Sequence, residues 1–426
     1  MIQFSPPYID EDVINEVMDS LKSTWITTGP KVKALEEEVA KLTGVENVLC
    51  VNSATSAMML LLHWFGVGKG DEVIIPAYTY CATALAVIHL GAKAVMVDVK
   101  EDFCIDTEKI RKAITENTKA IVPVDLAGYP CDYDDIYKIV NDNEVKKKFR
   151  PSGETQEKLG RIFIMADSAH SIGAEYKNKK SGSLCDATVF SFHAVKNVTT
   201  AEGGAICINL PEQFDNGELY KWLRLLSLNG QTKDAFTKSQ GGNWRYDIIY
   251  PGFKINLNDL CAAVGLAQIR KYCHNLLLKR KYIFERYNDA FGKKEWAILP
   301  PAKNENKESS YHVYLLRIKN ISENQRDEII EGINRREVAV NVHFVPLPML
   351  KVFRERGYNI EDYPVSLKNY SGEITLPVYP VKSEEYPRPA KRPKYSVLTT
   401  LQDPQILLPP WEEGLAEFVW LMRRNR

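Results

Sequence analysis

Two side chains between Asp167 and Ile208 are of types, and at positions, that would allow both to bind one cofactor. Asp167 ends an apolar run, and Lys196 follows a second apolar run through a short polar turn and precedes the letters TTAEGG. A lysine amine can form a Schiff base with an aldehyde and can also carry a proton. A carboxylate against the nitrogen of a pyridine ring keeps that ring protonated, so that it accepts electrons. The pair therefore predicts chemistry on an aldehyde-bearing pyridine cofactor.

Each of these residues alone has a simpler interpretation. A lysine in a loop is most often a solvated charge, and an aspartate at the end of a strand often caps a helix. Thr55 and Ser56 stand where an apolar run turns into a helix, and their hydroxyls could hold a phosphate at the positive end of that helix. Capping of the same helix by Ser53 would look identical in the sequence. The assignments therefore depend on the elements that position these residues.

Short apolar runs alternate with amphipathic helical runs from about residue 45 onward, which is the pattern of a mostly parallel sheet covered by helices on both faces. The predicted strands are ENVLCVN, DEVIIPAY, AKAVMVDV, KAIVPVD, RIFIMAD, ATVFSFH and GGAICIN. Ligands of such sheets bind at the carboxyl ends of the strands, where Asp167 lies. The sequence thus predicts an α/β fold with its site at that edge.

Two domains are expected from the length and from a change in pattern. Residues 1–292 form the predicted large domain, with an N-terminal helical segment and a charged surface insertion near residues 143–160. Beyond them a strand (YHVYLLRI), a helix (SENQRDEIIEGINRRE) and a second strand (VAVNVHFV) indicate a smaller C-terminal α/β domain over residues 293–426.

Composition argues against several classes of protein. The 55 basic residues equal the 55 acidic residues, so nothing indicates a nucleic-acid binder or a polybasic membrane anchor. The eight cysteines are scattered, without a CxxC pair or a Cys/His cluster, and they predict reduced thiols and no metal site. The start of the chain does not resemble a secretory signal, and no apolar stretch is long enough to span a bilayer. We expect a cytoplasmic protein.

The motifs DSAH and SFHAVKNVTTAEGG resemble the core pattern of the DegT/DnrJ/EryC1/StrS family of pyridoxal-phosphate-dependent nucleotide-sugar aminotransferases. Further similar motifs follow in the family's order from about residue 23 to residue 385, among them TTGPKVKALEEEVAKLTG, VNSATSAMMLLL, PGFKINLNDLCAAVGLAQI and LPVYP. Several independent matches in order are specific, unlike a lone glycine motif. The resemblance implies the fold type I of pyridoxal phosphate enzymes, with a large mostly parallel sheet domain and a smaller C-terminal α/β domain.

The same resemblance implies roles at the cofactor. Lys196 would carry pyridoxal 5'-phosphate as the catalytic residue, and Asp167 would meet the ring nitrogen. Tyr80 would stack on the face of the ring, and His170 would meet its phenolic oxygen. The phosphate would be held by Thr55, Ser56 and Ser191.

On the substrate side, the resemblance implies Thr28, His343 and either Tyr311 or His312, with Tyr311 preferred. It also implies a homodimer with shared active sites. Lys254 stands in GFKINL where many relatives have an asparagine that reaches the phosphate in the neighbouring subunit, and lysine can also bind phosphate. Asn256 replaces an arginine, which leaves open what binds the carboxylate of the amino donor.

The activity implied is transfer of an amino group from glutamate to a UDP- or dTDP-linked keto sugar, leaving 2-oxoglutarate, in amino-sugar biosynthesis for surface polysaccharide or related glycans. A pyridoxal-phosphate-dependent sugar dehydratase is an alternative, although some relatives of that type replace the lysine with histidine and this chain keeps Lys196. A second alternative is a non-catalytic regulatory protein that binds the cofactor, but the sequence has no DNA-binding motif that would favour it. From about residue 386 the chain instead resembles the C-terminal end of dTDP-4-dehydrorhamnose reductases, without their dinucleotide domain.

Overall fold

The structure is a computed structural model that describes residues 1–233 and 245–380. The atypical tail expected from about residue 386 lies outside the described residues.

Thirteen strands occur in the part of the chain that the structure describes. They are β1 Asn47–Val51, β2 Glu72–Pro76, β3 Lys93–Val97, β4 Thr118–Ile121, β5 Phe163–Asp167, β6 Glu175–Tyr176, β7 Lys179–Lys180, β8 Ala187–Ser191, β9 Gly204–Ile208, β10 Ala297–Ile298, β11 Lys307–Glu308, β12 Tyr314–Ile318 and β13 Glu373–Leu376. Seven of them form the central sheet in the order β1-β9-β8-β5-β4-β2-β3. Strands β8, β5, β4, β2 and β3 run parallel, and β9 is antiparallel to both of its neighbours. The predicted mostly parallel sheet is confirmed.

Fourteen α-helices of the described residues surround these strands. They are α1 Glu11–Lys22, α2 Pro30–Thr43, α3 Ala54–Trp64, α4 Cys81–His89, α5 Thr107–Ala113, α6 Tyr133–Asn141, α7 Asn143–Lys148, α8 Glu154–Leu159, α9 Asn216–Ser227, α10 Asp259–Lys271, α11 Leu277–Phe291, α12 Glu323–Asn334, α13 Lys351–Arg354 and α14 Pro364–Gly372. A single π-helical turn, Tyr272–Leu276, joins α10 to α11.

The central sheet is buried on both faces because its strands are apolar on both sides. One face packs on α3, α4 and α9 through a cluster that includes Leu61 and Leu223. The other face packs on α5 and α6 through a cluster that includes Ile110 and Ile136. Every residue of β5 and β8 is buried, so these two strands are fixed in the middle of the sheet. Their carboxyl ends therefore provide a rigid edge for functional side chains.

A smaller antiparallel sheet, in the order β10-β12-β13, lies toward the C-terminal end of the described residues. Its core includes Phe284 and Tyr287 of α11, Leu316 of β12 and Ile329 of α12. The expected boundary between residues 292 and 293 stays a prediction, and α11 on its large-domain side packs on this sheet.

The prediction of a strand over VAVNVHFV is wrong. Val338 forms an isolated bridge with Ile2, and Asn341 forms another with Thr375. The strand that pairs with β12 is instead β13, with Leu315 opposite Thr375. The segment thus meets two different partners within four residues, which prevents a continuous ladder.

The charged stretch near residues 143–160 contains the short helices α7 and α8. Most of its residues are exposed, but Val145, Gln156 and Leu159 are buried and attach it to the body of the protein. Within the described ranges, no helix is both long and apolar enough to cross a membrane.

Candidate active site

A cavity of about 560 Å³ lies at the carboxyl ends of the parallel strands, the edge at which α/β sheets bind ligands. The sequence-predicted residues that line it are Thr55, Tyr80, Asp167, His170, Ser191, Lys196 and His343. Four others, Thr28, Ser56, Lys254 and Tyr311, do not line it. Three elements supply most of the polar groups: the start of α3, the end of β5 and the turn after β8.

Lys196 reaches this cavity from the turn after β8, and its backbone N–H donates to the carbonyl of His193. Burial lowers the pKa of its amine to about 8, and the charge of Asp167 opposes that change. Among the described residues the amine has no hydrogen-bond or ion-pair partner. A buried amine that is readily uncharged and is bound to nothing is suited to react with an aldehyde.

Asp167 ends β5 next to Val189 of β8, so its carboxylate lies beside the strand that leads to the lysine turn. Burial raises the pKa of this carboxyl, and hydrogen bonds and the charge of Lys196 oppose the rise. Thr83 of α4 donates to Oδ2 at 2.7 Å, and the N–H of Ala169 donates to Oδ1 at 3.3 Å. These donors favour the ionised carboxylate, which is the form that holds a protonated ring nitrogen.

The start of α3 forms a cradle for an anion. Ser53 is the N-cap, since its hydroxyl accepts from the N–H of Ser56 at 3.1 Å. The N–H groups of Ala54 and Thr55 come before the first intrahelical hydrogen bond, and they form the positive end of the helix dipole. The Thr55 hydroxyl lines the cavity and has no partner among the described residues. Capping by Ser53 and an anion site at Thr55 are thus compatible.

Gly204, at the start of β9, leaves space for the backbone of this cradle because it has no side chain. A Cβ at this position would lie 2.6 Å from the nitrogen of Ala54 and 2.8 Å from the carbonyl carbon of Ser53. Any side chain here would therefore push against the backbone that begins α3. The close approach of this backbone therefore requires a glycine at the last position of TTAEGG.

The two predicted serines differ in position. Ser191, at the end of β8, lines the cavity, and its hydroxyl accepts from the N–H of His193 at 3.4 Å. Ser56 instead lies behind the cap, with its hydroxyl 2.9 Å from that of Ser53. The structure thus brings Ser191 and Thr55 together at the cradle and leaves the Ser56 side chain outside it.

Tyr80, the residue before α4, forms an open wall of the cavity. Its side chain is 58% exposed, and its ring lies 5.5 Å from that of Phe344. An exposed ring beside a cavity offers a flat surface on which another ring can stack.

His170 and His312 are in contact in the cavity wall, with ring centroids 4.3 Å apart and the rings tilted by 39°. Burial lowers the pKa of each imidazole well below its usual range, so both are neutral. The N–H of Ala127 donates to Nδ1 of His170 at 3.1 Å, which leaves the proton of His170 on Nε2. His170 is therefore a hydrogen-bond donor toward the cavity.

His312 has the opposite tautomer because of Asn197. The amide nitrogen of Asn197 donates to Tyr272 and to the carbonyl of Ser310, both at 2.9 Å, so its oxygen faces Nδ1 of His312 at 2.8 Å. Nδ1 must then carry the proton, and Nε2 is a bare acceptor. Asn197 directly follows Lys196, yet nothing in its sequence position indicated this role.

Tyr311, the preferred substrate residue, is outside the cavity. Its hydroxyl donates to Glu308 at 2.8 Å, and its ring packs on Phe284. The neighbouring His312 occupies the cavity instead. Tyr311 has a positive φ of 55°, which interrupts the extended backbone before β12.

His343 also lines the cavity, and the ring of Phe4 stacks on it at 5.3 Å with an interplanar angle of 17°. Burial and, to a smaller extent, the nearby charge of Lys196 lower the pKa of His343 to about 4. Phe4 and Ser5 belong to an N-terminal segment that crosses the cavity, where the Ser5 hydroxyl donates to the carbonyl of Val195. No motif in the sequence marks either residue.

Thr28, Lys254 and Asn256 form a separate cluster. The amine of Lys254 donates to Oδ1 of Asn256 at 2.7 Å, and the amide of Asn256 donates to the Thr28 hydroxyl at 2.5 Å. Lys254 is exposed to solvent. Asn256 thus binds the Lys254 amine, and neither residue lines the cavity of its own chain.

The cavity residues fit pyridoxal phosphate. The unpartnered Lys196 amine suits its aldehyde, and the Asp167 carboxylate suits its ring nitrogen. The N–H groups at the start of α3 suit its phosphate, and the exposed Tyr80 ring suits its face. In the ranges that the structure describes, no group of three or more His, Cys, Asp or Glu side chains is arranged to hold a metal ion.

Comparison with known proteins agrees with this geometry. The chain is similar over 90% of its length to the spore coat polysaccharide biosynthesis protein SpsC of Bacillus subtilis, with 34% identity and 94% of that protein covered. The "Putative sugar aminotransferase Spr1654" of Streptococcus pneumoniae has a similar structure in its PMP-form, with a TM-score of 0.86, 44% identity and coverage of 90% and 96% of the two chains. Its PLP-form gives a TM-score of 0.85 and 43% identity, with coverage of 90% and 95%.

A more distant neighbour is Helicobacter pylori PseC, an aminotransferase of pseudoaminic acid biosynthesis, with a TM-score of 0.75, 28% identity and coverage of 89% and 94%. The sequence model of the DegT/DnrJ/EryC1/StrS aminotransferase family matches residues 7–147 and 155–387, so the resemblance expected from the motifs is confirmed. The chain belongs to the DegT/DnrJ/EryC1/StrS aminotransferase family.

Proposed function

We propose that the protein is a pyridoxal-phosphate-dependent aminotransferase that moves an amino group from glutamate to a nucleotide-linked keto sugar. The observation that carries the proposal is the unpartnered, buried amine of Lys196, with a pKa of about 8, in one cavity with the ionisable carboxylate of Asp167. Membership of the aminotransferase family supports the reaction type. The cofactor supplies an aldehyde that condenses with amines and a ring that accepts the electron pair released at the substrate carbon.

The residues of the chain have distinct tasks in this reaction. Lys196 binds the cofactor through its amine and, when released, holds and moves a proton at its Nζ atom. Asp167 keeps the proton on the ring nitrogen, with its oxygens held by Thr83 and Ala169. His170, with its proton on Nε2, would donate to the phenolic oxygen of the cofactor. The start of α3 binds the phosphate.

The sugar substrate is supported by the relatives. The names of Spr1654 and SpsC connect these proteins with sugars or polysaccharide. In this chain the cavity has neutral, hydrogen-bonding imidazoles in His312 and His343, and the flat ring of Phe4 stacks on His343. Neutral donors and acceptors next to an aromatic face suit the hydroxyl groups and the apolar face of a sugar ring. We assign the product to amino-sugar biosynthesis for surface polysaccharide or related glycans.

A homodimer with shared active sites is part of the proposal. Lys254 is exposed and directed by Asn256, and neither residue lines the cavity of its own chain. A second copy of the chain would bring the Lys254 amine to the cofactor phosphate of the first copy, where it would bind as a point charge. Thr28, which accepts from Asn256, would reach the sugar of the neighbouring site in the same way.

To test the proposal, the purified protein is loaded with pyridoxamine phosphate. It is then incubated with a panel of UDP- and dTDP-linked 3-keto and 4-keto sugars. We expect one of them to be converted to its amino sugar, detected by mass spectrometry, and glutamate to sustain repeated turnover. Lys196→Ala is the matched control and should give no turnover. Sugar products that lack nitrogen would instead indicate a dehydratase, and absence of turnover with every sugar and amino donor would contradict the proposal.

A further inference from the structure

A chain of hydrogen bonds connects His343 to a buried carboxyl. Nδ1 of His343 lies 3.1 Å from the Thr375 hydroxyl, and that hydroxyl lies 2.5 Å from Oε1 of Glu373. The second oxygen, Oε2, accepts from the backbone N–H of His343 at 3.0 Å. Thr375 and Glu373 have no exposed surface, whereas His343 lines the cavity.

The Thr375 hydroxyl has one proton, and the state of Glu373 determines where it points. An ionised carboxylate only accepts, so Thr375 donates to Glu373 and can only accept from His343. Nδ1 of His343 then carries the proton of the neutral imidazole, and Nε2 is bare.

When Glu373 is protonated, the direction of the hydrogen bonds between Glu373, Thr375 and His343 is reversed. Its proton is then on Oε1, which has the Thr375 hydroxyl as an acceptor, whereas Oε2 faces the N–H of His343. Glu373 then donates to Thr375, and Thr375 donates to Nδ1 of His343. The imidazole proton is consequently on Nε2.

We propose that Glu373, acting through Thr375, determines which imidazole nitrogen of His343 carries the proton, and hence whether His343 presents a hydrogen-bond donor or an acceptor to the cavity. Glu373 is a positioning residue in this scheme, since it acts on the ligand only through His343.

The surroundings allow both states of Glu373. The pKa of Glu373 is raised to about 8, because burial outweighs the lowering by the bonds from Thr375 and His343 and by the charges of Arg326 and Arg317. Arg317 is on β12, opposite Glu373, and Arg326 is on α12. Tyr78, after β2, also faces Glu373, and burial raises the pKa of its hydroxyl well above the usual range, so it stays neutral.

His343 stays neutral in both states because burial lowers its pKa to about 4, so the change concerns the tautomer and not the charge. The consequence for substrate rests on the proposed function. The donor form of His343 suits the carbonyl oxygen of a keto sugar, whereas the acceptor form suits a hydroxyl or ammonium group.

The direct measurement is nitrogen-15 NMR of the full-length protein labelled at its seven histidines, because protonated and bare imidazole nitrogens have well-separated chemical shifts. The His343 signals are identified by their loss in His343→Gln. In the wild type we expect the proton to be on Nε2 at about pH 6 and on Nδ1 at about pH 10, either side of the usual range in which a buried carboxyl titrates. The measurements at both pH values are made without substrate. A failure of this proposal can therefore be distinguished from a failure of the proposed function.

Two variants test the connection. Glu373→Gln places an amide N–H against Thr375 and mimics the protonated acid, so the proton should stay on Nε2 at every pH. Thr375→Val removes the hydroxyl and should abolish the pH dependence, whereas Thr375→Ser keeps the hydroxyl and should retain it. Circular dichroism confirms that each variant is folded. The proposal is overturned if the His343 signals of the wild type are the same across this range and match those of Glu373→Gln, or if Thr375→Val retains the change.

Discussion

Asp167 and Lys196 act on each other's protonation across the cavity. The carboxylate raises the pKa of the amine, and the amine lowers the pKa of the carboxyl, while burial has the opposite effect on each group. The result is an amine with a pKa of about 8 beside a carboxylate held by two hydrogen bonds. This relationship predicts how the protein should bind its cofactor at different pH values.

The rate at which the cofactor-free protein binds pyridoxal phosphate covalently should rise with pH and become level above about pH 8. Only the uncharged amine of Lys196 is a nucleophile, and its fraction grows as the pH approaches the pKa of about 8. Stopped-flow absorbance measures this rate. Asp167→Asn removes the charge that raises this pKa, so the midpoint should move to lower pH. Glu202→Gln, which alters a carboxylate in the same cavity, should leave it unchanged.

Lys196→Ala should abolish covalent attachment of the cofactor. In the wild type, borohydride reduction should link pyridoxal phosphate to the peptide that contains Lys196, as peptide mass spectrometry can establish. The variant should still bind the cofactor without a covalent bond, through Asp167 and the start of α3. Lys109→Ala, at an exposed position of α5, is the control and should behave as the wild type. Normal turnover by Lys196→Ala would mean that another group is the nucleophile.

Asp167→Asn should lower kcat by orders of magnitude while the fold is preserved, because the ring nitrogen loses the charge that keeps it protonated. A loss below about tenfold, or about 1.4 kcal/mol of transition-state stabilisation, would assign the ring nitrogen to another partner. Thr83→Val removes one of the two donors to this carboxylate and should give a smaller loss. Thr83→Ser keeps that donor and serves as its control.

Gly204→Ala should weaken binding of pyridoxal phosphate and lower the thermal stability. The added Cβ would meet the backbone of Ser53 and Ala54, and crowding of this kind costs about 1–3 kcal/mol. Equilibrium titration of the cofactor and thermal unfolding measure the two effects. Gly68→Ala is a matched control, since a Cβ there meets nothing within 4 Å. Equal behaviour of the two variants would show that the cradle tolerates a side chain at residue 204.

Mixing inactive subunits should restore activity if the active sites are shared. Heterodimers of Lys196→Ala and Lys254→Ala chains would have one doubly damaged site and one intact site, so turnover absent from both parents should return. The experiment requires Lys254→Ala alone to be impaired, and a charge-assisted contact of about 1.5–3 kcal/mol predicts at least weaker cofactor binding. Activity no greater than the sum of the parents, with subunit exchange verified by mass spectrometry, would place both lysines in one site within a single chain.

The strands and the reactive pair were predictable from the sequence because both depend on local patterns. Seven apolar runs became the seven strands of the central sheet, since strands covered on both faces must be apolar on both sides. Asp167 ends one such strand and Lys196 follows another, and parallel strands bring their carboxyl ends to one edge. The motifs around Asp167 and Lys196, together with the further motifs that follow in order, indicated the family that the sequence model confirms.

Contacts between distant segments were decided only by the tertiary structure. Tyr311 and His312 are neighbours in sequence, yet only the folded backbone determines that His312 faces the cavity and Tyr311 faces Glu308. The segment VAVNVHFV has a strand-like pattern, but β13 takes the place beside β12 because a strand needs a partner as well as a pattern.

The contact of Glu373 and Thr375 with His343 bridges about thirty residues and has no local signal. Local patterns therefore indicated the candidate reactive residues, and the packing of distant segments determined the protonation and direction of the groups around them. The physical reason is that apolar periodicity and strand ends are properties of a short stretch of chain, whereas burial and hydrogen-bond partners exist only after the chain has folded.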